Sequence, residues 1–225
     1  MTTPRRDFLG RIAAGAAAAA GMAATPQTLD AQAAPRPVSD KFDMSWQDRV
    51  QGKFRAVFDS PKLADGGEVW RASSWRDQVE EIYSVKDPEV TSVLVIRHRG
   101  IPLVMDDEFW DRHSIGKKQK FKDPWTGKVV PGNPMRTFEG KEKAPPSMLG
   151  NSIEGFLKRG GIVLACNFAF GLMVHLESEA DKEHKSEARA RAVSHIIPGI
   201  ILQPSGFFAL LEAQRMGCHL FAAGE

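Results

Sequence analysis

The chain is poor in cysteine, in net charge and in long apolar runs, and each shortage excludes something. Cys166 and Cys218 are its only cysteines, too few for a disulfide framework. Thirty basic residues stand against 28 acidic ones, a formal charge of +2, which gives no support for a nucleic-acid or anionic-membrane partner. Beyond the amino-terminal region, no stretch reaches the roughly eighteen uncharged apolar residues of a spanning helix, so stable membrane insertion of the mature chain is not expected. The histidines at 98, 113, 175, 184, 195 and 219 show no metal-ligand spacing. A Gly-rich phosphate loop, a nucleophile elbow and a Ser/His/Asp order are all missing. No metal is expected, and no cofactor is indicated.

What is present begins with Arg5-Arg6-Asp7-Phe8-Leu9-Gly10-Arg11, followed by a weakly apolar Ala/Gly run from Ile12 to Ala24 and by Ala31-Gln32-Ala33. This order resembles a twin-arginine (Tat) signal peptide over residues 1–33, with small residues placed for a signal peptidase. The resemblance implies export to the periplasm or another extracytoplasmic space. Removal of residues 1–33 leaves a near balance of charge and a length that suits one domain. Residues 34–52, with Pro35, Pro37 and mixed charges, read as a flexible arm.

From residue 53 onward, strands and helices alternate. Lys53 to Phe58 and the β-branched Val90 to Val95 read as strands. Between them Trp75, Val79, Ile82 and Tyr83 fall at helical spacing. Ile101 to Met105 reads as an extension of the second strand or a short separate one, and Asp106 to Glu108 suits a helix start. Residues 116–146 are rich in Gly, Pro and Lys and read as an insertion, with a hairpin expected at Val129-Val130. A helix is expected over Met148 to Lys158 and a charged, exposed one over Leu172 to Val193. A strand follows over Ile196 to Leu202. Ser205 should cap a helix whose buried stripe is Phe207, Leu210, Leu211 and Gln214, and Cys218 to Ala222 forms a last strand. The pattern predicts a three-layer α/β/α domain over residues 53–225, with a mainly parallel sheet of about five strands.

One stretch draws this together: Gly160-Gly161-Ile162-Val163-Leu164-Ala165-Cys166-Asn167. A short apolar run bounded by Gly reads as a strand buried on both faces. Ligands in open α/β sheets gather beyond the carboxyl ends of the strands, where Cys166 would stand. The strand ending in Cys166 is preceded by an amphipathic helix and Gly-Gly. Pro198-Gly199-Ile200-Ile201 leads to Leu210-Leu211-Glu212-Ala213-Gln214, and Gly217 precedes a short closing strand. Together these resemble the DsrE/DsrF superfamily of sulfur-relay proteins over roughly the last third of the chain. The resemblance implies that Cys166 can carry a persulfide, that a small molecule or a sulfur-carrier protein is the partner, and that subunits form homo-oligomers. Familiar members often read Asn-Thr after the cysteine, whereas here Asn167 is followed by Phe168-Ala169-Phe170.

A thiol acts through its thiolate, which nearby cations or a helix N-terminus favour. The second strand ends at Arg97-His98-Arg99. The expected site is therefore a Cys166 thiolate held by Arg97 or Arg99, with His98 as proton partner and Asn167 beside the ligand. The plainer reading makes Cys166 a small buried hydrophobe in a non-catalytic interaction or structural subunit. It carries its own expectation, an exposed apolar patch around Trp110 or Phe168 and Phe170. Whether the chain is an enzyme stays open at this point. A redox enzyme loaded with a cofactor before export is a third reading, motivated by the leader alone. Cys218, at the start of its strand, should lie beyond disulfide reach of Cys166. The run Lys117 to Lys122 reads as solvated surface, Trp70 and Trp75 as core or subunit contact, and Trp110 and Trp125 as a lid over the ligand edge.

Overall fold

A computed structural model describes residues 41–222 except 87, 142 and 183. The leader over 1–33 and the first part of the arm lie outside the described residues. Five parallel strands form the sheet: β1 (Phe54–Ser60), β2 (Val90–Ile96), β3 (Ile162–Cys166), β4 (Ile201–Gln203) and β5 (His219–Phe221). Their order is β4-β3-β2-β1-β5. β2 and β3 are buried at every position, as continuous Val/Ile/Leu runs require when both faces are covered.

Alternation along each strand divides the core in two. Phe58, Leu94, Ile96, Val163 and Ala165 face one cluster. It contains Val69 and Ala72 of α1 (Gly67–Tyr83) and Ile153 and Phe156 of α4 (Ile153–Lys158). It also takes Phe170 and Met173 of α5 (Asn167–Asp181) and Ala188 and Ala192 of α6 (Lys185–Ser194). Val57, Val93, Val95, Ile162 and Leu164 face the other cluster, with Ala209, Leu210 and Ala213 of α7 (Gly206–Arg215). The result is a three-layer α/β/α domain.

The layering follows from chain direction. From β1 to β4 each strand is added beside the last, so right-handed crossovers keep every connecting helix on one face. The step from β4 to β5 runs back across the whole sheet, and the same handedness then lays α7 on the opposite face. The connections after the neighbours β3 and β4 thus leave the sheet in opposite directions, which opens a crevice between their carboxyl ends.

Several expected elements are altered by tertiary structure. The helix expected from Leu172 starts five residues earlier, at Asn167, and breaks at Lys182, whose φ is 54°. His184 then starts α6, its Nδ1 accepting from the Ser186 amide at 3.4 Å. The charged middle is not simply solvated: Glu177 is fully buried against His113 Nε2 at 2.7 Å, with Arg112 and Arg191 at 3.7 and 3.6 Å. Ile101 to Met105 is no strand. A 3-10 helix over His98–Val104 contains Pro102, and Met105 makes one antiparallel bridge to Ile196. The strand expected from Ile196 begins at Ile201, because Pro198 and Gly199 (φ 93°) form a turn. On α7 the buried row is Gly206, Ala209, Leu210 and Ala213, while Phe207 and Leu211 point outward. Small residues let this helix lie close to the sheet.

The arm is anchored where it is described. Ser45–Arg49 is a 3-10 helix, and Trp46 is fully buried on the α7 side. Before the insertion lies α2 (Asp107–Arg112), and α3 (Ile115–Gln119) leads into its irregular chain. Phe121, Met135 and Phe138 pin that chain to the core, and the expected hairpin shrinks to one bridge, Lys122 to Val129. Asp123 accepts from the Trp125 and Thr126 amides and from Lys141 Nζ at 3.0, 2.9 and 2.9 Å. The described residues fall in one compact unit. Among the described residues, no helix is long and apolar enough to cross a membrane.

Candidate functional site at the diverging strand ends

Cys166 is the last residue of β3 and the N-cap of α5, its Sγ accepting from the Ala169 amide at 3.3 Å. A thiol thus occupies the position usually held by Ser, Thr, Asp or Asn. The cap sets the sulfur against the positive end of a 15-residue helix. Its exposed fraction is 5%, but it lines a cavity of about 370 Å³. Phe168, Ala169 and Leu172 of α5 form one wall, Gly206 and Phe207 of α7 a second, and Arg97, His98 and Arg99 a third. This is the crevice that the diverging connections create.

The order of strands brings the basic triplet there. β2 lies beside β3, and Ile96 pairs with Ala165, so the residues that follow Ile96 stand next to Cys166. Arg97 does not face the sulfur as a free cation. Its Nε and Nη2 donate to the two carboxylate oxygens of Asp59, both at 2.7 Å. The Asp59 hydrogen bonds hold the Arg97 pKa above its ordinary value, against the opposing effect of burial, and Cys166 adds a smaller coulombic share. Asp59 comes from the end of β1, so three neighbouring strands contribute to one polar unit. Gly206 is required by this packing: a Cβ there would meet Arg97 Cβ at 2.5 Å. His98 holds a left-handed backbone, φ 50°, a conformation that costs a non-glycine residue about 1–2 kcal/mol. Strain of this kind concentrates at functional sites.

Arg97, His98, Arg99 and Cys166 therefore line one cavity. Asn167 is not among the residues that line the cavity; its Oδ1 accepts from Arg189 Nη2 at 2.6 Å, on the side of α6. Trp110 and Trp125 form no lid. Trp110 is fully buried with its indole N–H donated to the Pro102 carbonyl at 2.7 Å, and Trp125 packs edge-on against Phe138. Of the aromatic pair after Cys166, Phe170 is fully buried and Phe168 is 85% exposed. Trp75 packs against the core and Trp70 is half-exposed. Asp59, Gly206 and Phe207 were not foreseen. Ser205 directly after β4 was the available signal, since a capped helix start at a strand's carboxyl end is where such crevices form.

No family model matches the chain, and no curated protein matches it. Among solved structures, a protein of unknown function, MTH1491 from Methanobacterium thermoautotrophicum, is similar at 10% identity and a TM-score of 0.39, over 76% of this chain and 100% of that one. A likeness of that degree carries nothing about function.

Proposed function

We propose that this chain is an exported DsrE/DsrF-like protein that binds a small ligand at the sheet rim and carries sulfur as a persulfide on Cys166. The observation that carries the proposal is the seat of the sulfur: at the N-cap of α5, on the floor of a cavity, beside the Arg97–Asp59 pair. The Cys166 thiolate attacks the outer sulfur of an organic persulfide; a new S–S bond forms on Sγ, the donor's S–S bond breaks, and the donor leaves as a thiolate. An acceptor thiolate later takes the same sulfur and restores Cys166, with no net oxidation. His98, exposed at the lip, is placed to exchange the proton. Incubation with a sulfane-sulfur donor should add the mass of one sulfur atom, reversibly with reductant, and Cys166→Ser should abolish the gain. A wild-type chain that gains nothing, or gains it equally on Cys218, overturns the assignment.

The interaction reading retains support from a separate observation, the exposed rows Phe168–Leu172 and Phe207–Leu211 beside the thiol. It requires that Cys166→Ser leave the protein's behaviour intact. Export by the Tat pathway belongs to the proposal as well. Replacing Arg5 and Arg6 by Lys should retain the chain in the cytoplasm, and unaltered export would remove that part.

A further inference from the structure

We propose that the cavity above Cys166 receives an amphiphilic organic anion, one acidic group on an apolar body. The inference rests on reading this rim as the binding site, and names what the site takes.

Apolar side chains line the opening from two helices: Phe168 and Leu172, one helical turn apart on α5, and Phe207 on α7, with the exposed Leu211 one turn further along α7. Their exposed fractions run from 51% to 85%, high for large hydrophobes grouped in one place, and patches of this kind mark binding surfaces.

Among the residues that line the cavity, the unpaired fixed charge is the Arg99 guanidinium. Arg99 and His98 are exposed, and neither side chain is ion-paired or hydrogen-bonded to a described residue. None of the residues lining the cavity is acidic, and Asp59 is occupied by Arg97. α5 and α7 both begin at the cavity, and first-turn amides present positive partial charge. The Arg99 guanidinium and two helix ends therefore reinforce one another, with the His98 imidazole beside them as a hydrogen-bond partner, which selects a negative head group.

The other occupants use only part of this arrangement. An inorganic anion leaves the apolar rows wet, and a neutral lipid leaves the guanidinium unused. A second copy docked about a two-fold axis on this patch puts two Arg99 guanidiniums in one interface with no acidic lining residue to pair them, where like charges oppose association. A volume of about 370 Å³ falls in the small-ligand range.

The test is titration calorimetry on the full chain with decanoate, decanol, decyltrimethylammonium and inorganic sulfate, alongside sedimentation with phosphatidylglycerol vesicles. Decanoate should saturate one site, decanol should bind about tenfold more weakly or less, and the cation and sulfate should not bind measurably. Arg99→Gln should weaken decanoate by about three- to tenfold, the net worth of one ordinary hydrogen bond at a solvent-exposed site, and leave decanol unchanged; Phe207→Ala should weaken both. Circular dichroism checks that each variant is folded. Equal affinity for the anion and the cation, indifference to both substitutions, or binding to vesicles alone overturns the proposal. Cys166→Ser separates the two readings. If it loses the added sulfur but still binds decanoate, both stand. If the wild type binds decanoate and never gains sulfur, the sulfur chemistry alone fails. If it gains sulfur and ignores decanoate, the amphiphile alone fails.

Discussion

Cys166 and Cys218 are almost equally buried, at 5% and 4% exposed, and both are free thiols, but they occupy opposite rims of the same parallel sheet. At the carboxyl rim, Cys166 accepts a hydrogen bond from a helix-start amide and faces a cavity with a basic lip. At the amino rim, Cys218 lies just before β5 among Val57, Ala209 and Ala213. Burial there pushes its pKa up to about 11, only partly countered by Arg55. The difference teaches that equal burial does not give two thiols equal surroundings. In a parallel sheet the helix dipoles differ systematically between rims. Helices that follow strands begin at the carboxyl rim and point their N-termini at it.

The largest expected effect is in labelling. A rise from 9.0 to about 11 leaves Cys218 about a hundredfold less thiolate than an ordinary thiol at neutral pH. Alkylation of the folded protein followed by peptide mapping should therefore mark Cys166 and spare Cys218, and the contrast should vanish in denaturant. Comparable labelling of both in the native state breaks the comparison.

The same raised pKa fixes a pH dependence. A thiol whose folded-state pKa lies above its unfolded value of 9.0 contributes stability that is complete below about pH 9. That stability is lost as the pH rises through about 11. Denaturant titrations across this window should show an alkaline loss that Cys218→Ala removes. A slope that survives in Cys218→Ala assigns the loss to other groups.

Two glycines sharpen the carboxyl-rim side. Gly206→Ala drives a methyl group into Arg97 and should cost about 1–3 kcal/mol, along with part of the cavity. Gly171→Ala, in open space on α5, should instead gain up to about 1 kcal/mol from helix propensity. Equal effects at the two positions would mean that α7 does not seat against Arg97 as described.

The smallest effect concerns His98. Gly adopts a positive φ without strain, so His98→Gly should stabilise the fold by up to about 1 kcal/mol while slowing the proposed sulfur transfer, since it removes the imidazole. A variant that is more stable and equally fast would leave the imidazole without a role in that transfer.

How much of this was legible beforehand varies along the chain. β1, β2, β3 and α1 could be read because β-branched runs and helical spacing are strong local signals, and Cys166 at the end of β3 follows from the same run. α7 was misread for a physical reason. Phe207 and Leu211 have the spacing of a core stripe, and composition cannot tell a stripe buried in the domain from one left open at a site. The packing row was the small one, Gly206, Ala209 and Ala213. The lid assigned to Trp110 and Trp125 failed similarly, since the insertion buries its own aromatics against Phe121 and Phe138.

By itself the sequence determined the period of β1, β2, β3 and α1, the double-sided burial of the central strands, and the identity of the thiol and the basic triplet. Only the tertiary structure decided that β2 lies beside β3 and that the chain reverses direction after β4. Those two facts join Cys166, Asp59, Arg97 and Phe207 at one rim. The reason is that periodicity is a property of neighbouring residues, whereas the lateral order of parallel strands depends on crossovers that bring together residues far apart in the chain.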